Sequence, residues 1–452
     1  MVSGMTIFYD NQRCNEAEML KEIDTASELL RNRILTALDK TEFTGRIWYI
    51  SPDGKKDNKG NSPDCPWDSL DTLMENSGLL AYGDTVLLQR GKLYRGQIIA
   101  VDGVYYGAYG EGNKPVIHGS IANYAEYEWV NEGNNIWRLE HQFRWDAGFV
   151  AINNGEHIGF NRKNKSDLKN DFDFWCDREN GLTLYMYYSS DFNFESIEIG
   201  ENVNIIDILV DSNDVVIENL SLKFGGSHGI RCRGNNKNIT VKGCEVSFLG
   251  GSYLVNYKDG TTRFGNGVEF WQGCQNILVE SCWIHDIYDS GISHQGAEKF
   301  VQRNITYRNN LIENCGMGSI EYWLCYRGEE ILNYAENIEY FNNIMRFAGH
   351  GFGGEQRPDK DKSAHIQSNG PNQNHYVNYN ISGNIFYSSK YDLLEISSLN
   401  NTFPNLSGNT YIQKKGNRLG TFAESKNVFF NKEVQEIIKK DWGDKNAVVI
   451  FL

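Results

Sequence analysis

Six stretches of the chain can be laid over one another in constant register. They are DVVIENLSL from Asp214, NITVKGCEV from Asn238, NILVESCWI from Asn276, NITYRNNLI from Asn304, NIEYFNNIM from Asn337 and NYNISGNIF from Asn378. A shorter seventh copy, NLSGNTY, starts at Asn405. One column reads Leu220, Cys244, Cys282, Asn310, Asn343, Asn384 and Asn409. The copies are separated by 24 to 41 residues, so a fixed coil carries loops of different length. Stacked strands produce such a column, because each Asn can hydrogen-bond to the Asn of the coil above and below. About ten residues after each copy comes a second strand-like stretch: HGIRCRG, NGVEFWQG (delayed by an insertion at about 250–264), SGISHQG, GSIEYWL, HGFGGEQR and DLLEISS. Two short strands per coil, glycine at the turns and a constant Asn/Cys column predict an all-β parallel β-helix. A sandwich or propeller would show hairpin turns and no such column.

A solenoid explains how 452 residues can form one body, since it lengthens without thickening its core. Upstream, residues 15–40 place Leu20, Ile23, Leu29, Leu30, Ile34, Leu35 and Leu38 at helical spacing, which predicts an amphipathic helix capping an open end. The segment from Trp129 to Gly200 mixes short strands with acidic loops and reads as an insertion. The expected organisation is a cap over 1–45, a β-helix over 46–411 with a β-rich side insertion at about 121–200, and a C-terminal cap over 412–452. With 44 basic and 59 acidic side chains the formal charge is −15, which would repel a phosphate backbone, so no nucleic-acid partner is expected. No apolar run reaches the roughly 18 residues of a membrane span. The nine cysteines form no CxxC pair, and those at 244 and 282 lie inside strand patterns. They read as reduced core residues of a cytoplasmic protein, with no zinc site or disulfide frame. The start, MVSGMTIFYDNQRC, shows no secretory signal. A signal already removed would make the protein secreted.

The stretches YISPDGKKDNKGNSPDCPWDSLDTL, GDTVLLQRGKLYRGQI and GVYYGAYGEGNKPVIHGS, followed by the repeats, resemble the right-handed parallel β-helix, pectate-lyase-like carbohydrate-active enzymes over about residues 46–411. The resemblance implies that fold and carbohydrate chemistry. It matches no complete catalytic motif.

Side chains alternate along a strand, so the second stretch of each coil divides into two sets. Ile230, Cys232, Val268, Phe270, Ile292, His294, Ile320, Tyr322, Phe352, Leu394 and Ile396 face inward. Arg231, Arg233, Glu269, Trp271, Ser293, Gln295, Glu321, Trp323, Gly353, Glu355, Glu395 and Ser397 face outward. Long loops at 250–264, 324–336 and 356–376 flank the outward strip, as they would flank a binding site. A sugar ring stacks its C–H face on an indole and needs polar partners for its hydroxyls. Trp271 and Trp323 beside Glu, Gln and Arg supply both, unless the loops fold down and bury the indoles. Glycosidases use two carboxyls flanking the bond. With coils about 4.8 Å apart, Glu321 and Glu355 are expected roughly 8 Å apart between Cα atoms, and Glu269 and Glu321 about 9–10 Å. Glu321 and Glu355 are the expected acid/base pair, with Glu269 or Asp289 as substitute partner. Arg231, Arg233, Gln295, His294, His350, His228, Arg357 and Glu395 are the expected substrate-binding groups. His285 and Asp286 read as structural.

The leading functional reading is a glycoside hydrolase acting on an oligo- or polysaccharide, with no cofactor. A polysaccharide lyase or uronate epimerase is the alternative. Arg231, Arg233, His350, Tyr322 or Arg357 would then supply the base or neutralise the uronate, with calcium held by Glu269 and Glu321. The third reading is a glycan-binding β-helix without catalysis.

Overall fold

The computed structural model describes residues 16–255, 257, 261–296, 301–324, 333–359, 361–368, 374–396, 403–423 and 425–452. They wind into a parallel β-helix with three strands per coil, one more than the repeat suggested. Three ten-stranded sheets, here A, B and C, run its length. Each repeat copy holds a sheet A strand and a sheet B strand with a sharp corner between them: Lys237–Lys242 then Glu245–Leu249, for example, with Gly243 and Cys244 at the bend. The later stretch is the sheet C strand. Register is unbroken, so Ile230, Val268, Ile292, Ile320, Ile366 and Leu394 stack in one inward row. Fully burying each such side chain stabilises the fold by about 1.5–3 kcal/mol. Sheet A continues the core as Val241, Val279, Tyr307, Tyr340 and Ile381, with the rings of Tyr307 and Tyr340 stacked at 5.1 Å.

The Asn column forms as expected. Asn310, Asn343, Asn384 and Asn409 are fully buried, and each Nδ2 donates to the next residue's side chain at 2.9, 2.9, 3.1 and 2.9 Å, the last reaching Asp444. At the corner entering sheet C, Gly229, Gly267 and Gly291 stack so closely that a Cβ would meet the next coil's carbonyl at 2.5–2.9 Å.

The ends and flanks depart from expectation. The helix α1 (Glu16–Leu35) does not cap an end. Its buried residues Met19, Ile23, Ala26 and Ile34 pack on Leu311, Ile344, Ile385, Ile412 and Ile450, from two adjacent columns on the outside of sheet B. A short helix α2 (Leu70–Glu75) joins the main core through Leu70 and Leu73. The winding also continues past 411, with Arg418–Phe422 in sheet C and Val448–Phe451 in sheet B. The insertion is present: strands between Trp129 and Glu201 form a five-stranded and a three-stranded sheet around their own core, including Leu139, Val150, Phe174 and Ile197. A third helix, α3 (Gly351–Gln356), stands where HGFGGEQR suggested a strand, and the sheet C strand of that coil is Ala364–Ser368. Helix α4 (Val434–Lys440) joins the core through Val434 and Ile438. Among the described residues no helix is long and apolar enough to cross a membrane.

Candidate active site

The outward column of sheet C reads Asp207, Arg231, Glu269, Ser293, Glu321, Gln367 and Glu395 in register. Glu269 and Glu321 are therefore two rungs apart, about 9–10 Å between Cα atoms. Ser293 stands between them in the column, its Oγ 3.3 Å from Glu321 Oε2. Gln295 Nε2 donates to Ser293 Oγ at 2.7 Å and to Glu321 Oε2 at 2.8 Å. Asn266, at the corner before the strand, donates to Glu269 Oε2 at 2.7 Å.

These carboxyls are only 4% and 7% exposed, and burial disfavours their charged forms. Burial is the main reason Glu269 is pushed up to about 7, against the nearby Arg231 charge. Burial, then the charges of Asp289 and Glu269, push Glu321 up to about 8. Asp289, at the turn before Ser290–Gly296, is also raised by burial. Arg357 opposes that shift, since its guanidinium pairs with Asp289 and, at 3.0 Å, with Asp359. The cluster thus holds Glu321, raised to about 8, beside Asp289, which pairs with a guanidinium. Among the described residues no group of three or more His, Cys, Asp or Glu is arranged to hold a metal ion.

Several expected binding groups do flank this cluster. Trp271 faces outward, half-buried, in a second column with Gln295 and the backbone of residue 323. The Trp323 side chain lies outside the described residues. Arg231 stands one rung from Glu269, its Nε buried and without a hydrogen-bond partner among the described residues. His228, at the corner below Arg231, accepts a hydrogen bond at Nδ1 from the Asn266 backbone, which fixes the proton of the neutral ring on Nε2. Burial, and then the Arg231 charge, hold its pKa well down. Arg233 is instead occupied by Asp207, with hydrogen bonds of 2.5–3.0 Å. Glu395, two rungs beyond Glu321, is raised to about 7 by burial and by Asp392.

Three assignments are corrected. Glu355 is exposed on α3 and does not share the Glu321 column; Gln367 holds the rung beside Glu321. His294 is fully buried inside the coil among Tyr307, Tyr322 and Tyr340, where burial lowers it to about 3. His350 precedes α3 instead of entering a sheet C strand, with Lys390 and Lys414 as its charged neighbours. Phe352 likewise leaves the core row and packs on Phe149 at 5.4 Å, against the insertion. His285 is structural, stacked on Trp283 at 3.8 Å and bonded to Asp286 and Glu245.

Asn266 is a site residue that strand alternation alone does not single out. A sequence signal for it exists: Asn204-Ile-Ile-Asp207 and Asn266-Gly-Val-Glu269 repeat one spacing, and in both the corner amide donates to the acid three residues on, at 3.3 and 2.7 Å.

No protein-family model matches the sequence, and no curated protein matches it. Solved structures do. XylC in complex with xylose aligns with a TM-score of 0.51 at 12% identity, over 84% of this chain and 72% of that one. The likeness shows the fold. The GH136 lacto-N-biosidase from Eubacterium ramulus aligns at 0.44 with 15% identity, over 92% of this chain and 71% of that one. The pectate lyase Pel9A aligns at 0.45 with 11% identity, over 87% and 74%.

Proposed function

We propose that the protein is a carbohydrate-active enzyme, specifically a glycoside hydrolase whose site is the carboxyl cluster on sheet C. The observation that carries this reading is the pair Glu269 and Glu321, two rungs apart in one outward column, both buried and both raised toward or above neutrality. Glycosidic cleavage needs an acid to protonate the leaving oxygen and a carboxylate to attack the anomeric carbon or activate water. Glu321 is the acid: it has the higher pKa and lies beside two further carboxyls. The second carboxylate comes from Glu269 or Asp289. Trp271 offers a stacking face on the same strip, and Gln295 and Arg231 offer donors for hydroxyls. XylC, the neighbour solved with xylose, agrees with saccharide chemistry and does not choose between hydrolysis and elimination.

A second reading, elimination from a uronate sugar, has one observation in its favour. Arg231 presents a cation with an unpartnered Nε next to the carboxyl row, where it would neutralise a substrate carboxylate. A glycan panel followed for both new reducing ends and ultraviolet absorbance separates the two. Hydrolysis gives reducing ends without absorbance, whereas elimination gives an unsaturated, absorbing product. On the substrate so found, Glu321→Gln is expected to lower turnover at least about a hundredfold, the usual size of a lost acid–base contribution, and so is one of Glu269→Gln and Asp289→Asn. Near-normal turnover in all three variants would remove the cluster from consideration.

A further inference from the structure

The segment GFGGEQR at 351–357 interrupts the coil between sheets B and C with a helical turn. Its glycines are a packing requirement: a Cβ on Gly353 would lie 2.5–2.7 Å from the backbone of Ile287 and Tyr288, and one on Gly354 would lie 1.9 Å from Gly349 O. The turn is thereby pressed onto the residues that lead directly into Asp289. Its last residues are both committed. Gln356 donates to Gly159 O at 2.8 Å and accepts from Asn161 N at 3.3 Å and from Arg263 at 3.0 Å, which ties the turn to the insertion. Arg357 is 12% exposed, pairs with Asp289 and Asp359, and lies over the Tyr288 ring at 5.6 Å, with Arg263 over the same ring at 4.4 Å. Its donors face protein carboxylates, so the sequence-based expectation of substrate contact is replaced by a different role.

We infer that Arg357 is a positioning residue, delivered by the glycine-built turn to hold Asp289 ionised and oriented, and that Asp289 rather than Glu269 is the carboxylate partner of Glu321. This rests on the hydrolase reading for the chemistry, but the ionisation of Asp289 stands apart from it. The groups facing Asp289 are Arg357 and Asp359 from the segment after the turn, Glu321 and Glu269 on the flanking strands, and its neighbour Tyr288 with Arg263 above it; Arg231 lies beyond Glu269. Arg357 favours the carboxylate, whereas Asp359 and burial oppose it. Glu269, by contrast, takes a hydrogen bond from the neutral side chain of Asn266.

Two substitutions should therefore move Asp289 in opposite directions. Removing the cation in Arg357→Gln should raise its titration midpoint by about one unit or more, with Arg357→Lys recovering part of the shift. Removing the competing anion in Asp359→Asn should lower it. The full-length protein, labelled with 13C at the Asp carboxyl and with Asp289 assigned through Asp289→Asn, reports the midpoint by NMR without any substrate. The acidic limb of kcat/KM on the panel substrate should follow the same two shifts. Midpoints that stay put, or that move the same way in Arg357→Gln and Asp359→Asn, would overturn the positioning role. Opposite midpoint shifts with an unmoved acidic limb would overturn Asp289 as the partner. Opposite midpoint shifts in a protein that cleaves no glycan would sustain the positioning role and sink the hydrolase reading instead.

Discussion

At the scale of single residues, the site trades stability for chemistry, and the trade can be read through pH. Glu269 and Glu321 sit raised to about 7 and about 8 against an ordinary value of 4.5. Their neutral forms are the ones the fold accepts, so their contribution is fully present below pH 4.5. It is lost as pH rises through the folded values, at about 1.4 kcal/mol for each tenfold difference in proton affinity between the folded and unfolded chain. Glu198 and Glu245 act the other way. Arg95 and His118 hold Glu198 down to about 2, and His285, Lys223 and Ser221 do the same for Glu245, so their contribution is present above 4.5 and lost as pH falls toward 2. Melting temperature should therefore decline on both sides of about pH 5. In Glu269→Gln/Glu321→Gln the decline between pH 5 and 8.5 should flatten, leaving the acid side unchanged. Melts in buffers of low ionisation enthalpy check this, and a double variant that parallels the parent at high pH would refute it. Glu269, Glu321 and Asp289 are legible as candidates because strand alternation and coil register are sequence properties. Glu355 is not placed correctly by the same reasoning, because HGFGGEQR carries the Gly spacing of a sheet C corner. Only the closeness of Gly353 and Gly354 to neighbouring backbone reveals a helical turn there, and it moves the strand to Ala364–Ser368.

At the scale of elements, two ladders flank sheet A, and they should differ in worth. In the buried one, Asn343 Oδ1 accepts from the Asn310 backbone and side chain at 3.1 and 2.9 Å, while its Nδ2 donates to Tyr307 O and Asn384 Oδ1, both at 2.9 Å. Asn343→Leu would take a bond from four buried groups; Asn310 Nδ2 keeps Val279 O and Asn384 Oδ1 keeps the Asn343 N–H, but the Asn310 N–H loses its acceptor, and with about 1–3 kcal/mol for a buried group left unpaired a net loss of at least about 2 kcal/mol is expected. The second ladder is exposed: Asn276, Asn304, Asn337 and Asn378 donate down the stack at 2.7, 2.7, 3.0 and 3.2 Å, all with φ between 52° and 55°. Water can replace those bonds and glycine tolerates that backbone, so Asn337→Gly should cost under about 1 kcal/mol. Thermal melts of the two variants side by side test the contrast, and equal losses would contradict it. The buried column is visible in the sequence. The exposed one is present as the first letter of five repeat copies, but its left-handed backbone belongs to a kink inside the sheet A strands, where the pairing skips the Asn, and the repeat alone does not specify it.

At the scale of the whole molecule, α1 acts as a strap. A 20-residue helix is about 30 Å long, close to six coil rises of about 4.8 Å. Its attachments run down the solenoid in order: Asp24 pairs with Arg346 at 2.6 Å, Arg31 with Glu313 at 2.9 Å, and Asp39, just beyond it, with Arg90 at 2.5 Å. Asn219 adds bonds to Leu38 O at 3.0 Å and Asp39 at 2.9 Å. The periodicity of residues 15–40 establishes an apolar face without saying what it covers, because an open end and a row of outward aliphatic residues present the same chemistry. The outward face it covers has two columns, Leu311, Ile344 and Ile385 in one and Ile412 and Ile450, in register with Tyr387, in the next. A strap and a cap predict different failures. Placing a charge under the helix, as in Ile23→Asp, should lower the melting temperature and raise hydrogen exchange in Leu311–Cys315, Ile344–Ala348 and Ile385–Ser389 together, because the helix covers several coils at once. Deleting residues 1–42 should uncover the whole row and cause aggregation, since a contiguous apolar stripe invites association. Exchange that rises only in the first or last coil, with those three strands still protected, would assign α1 to an end after all.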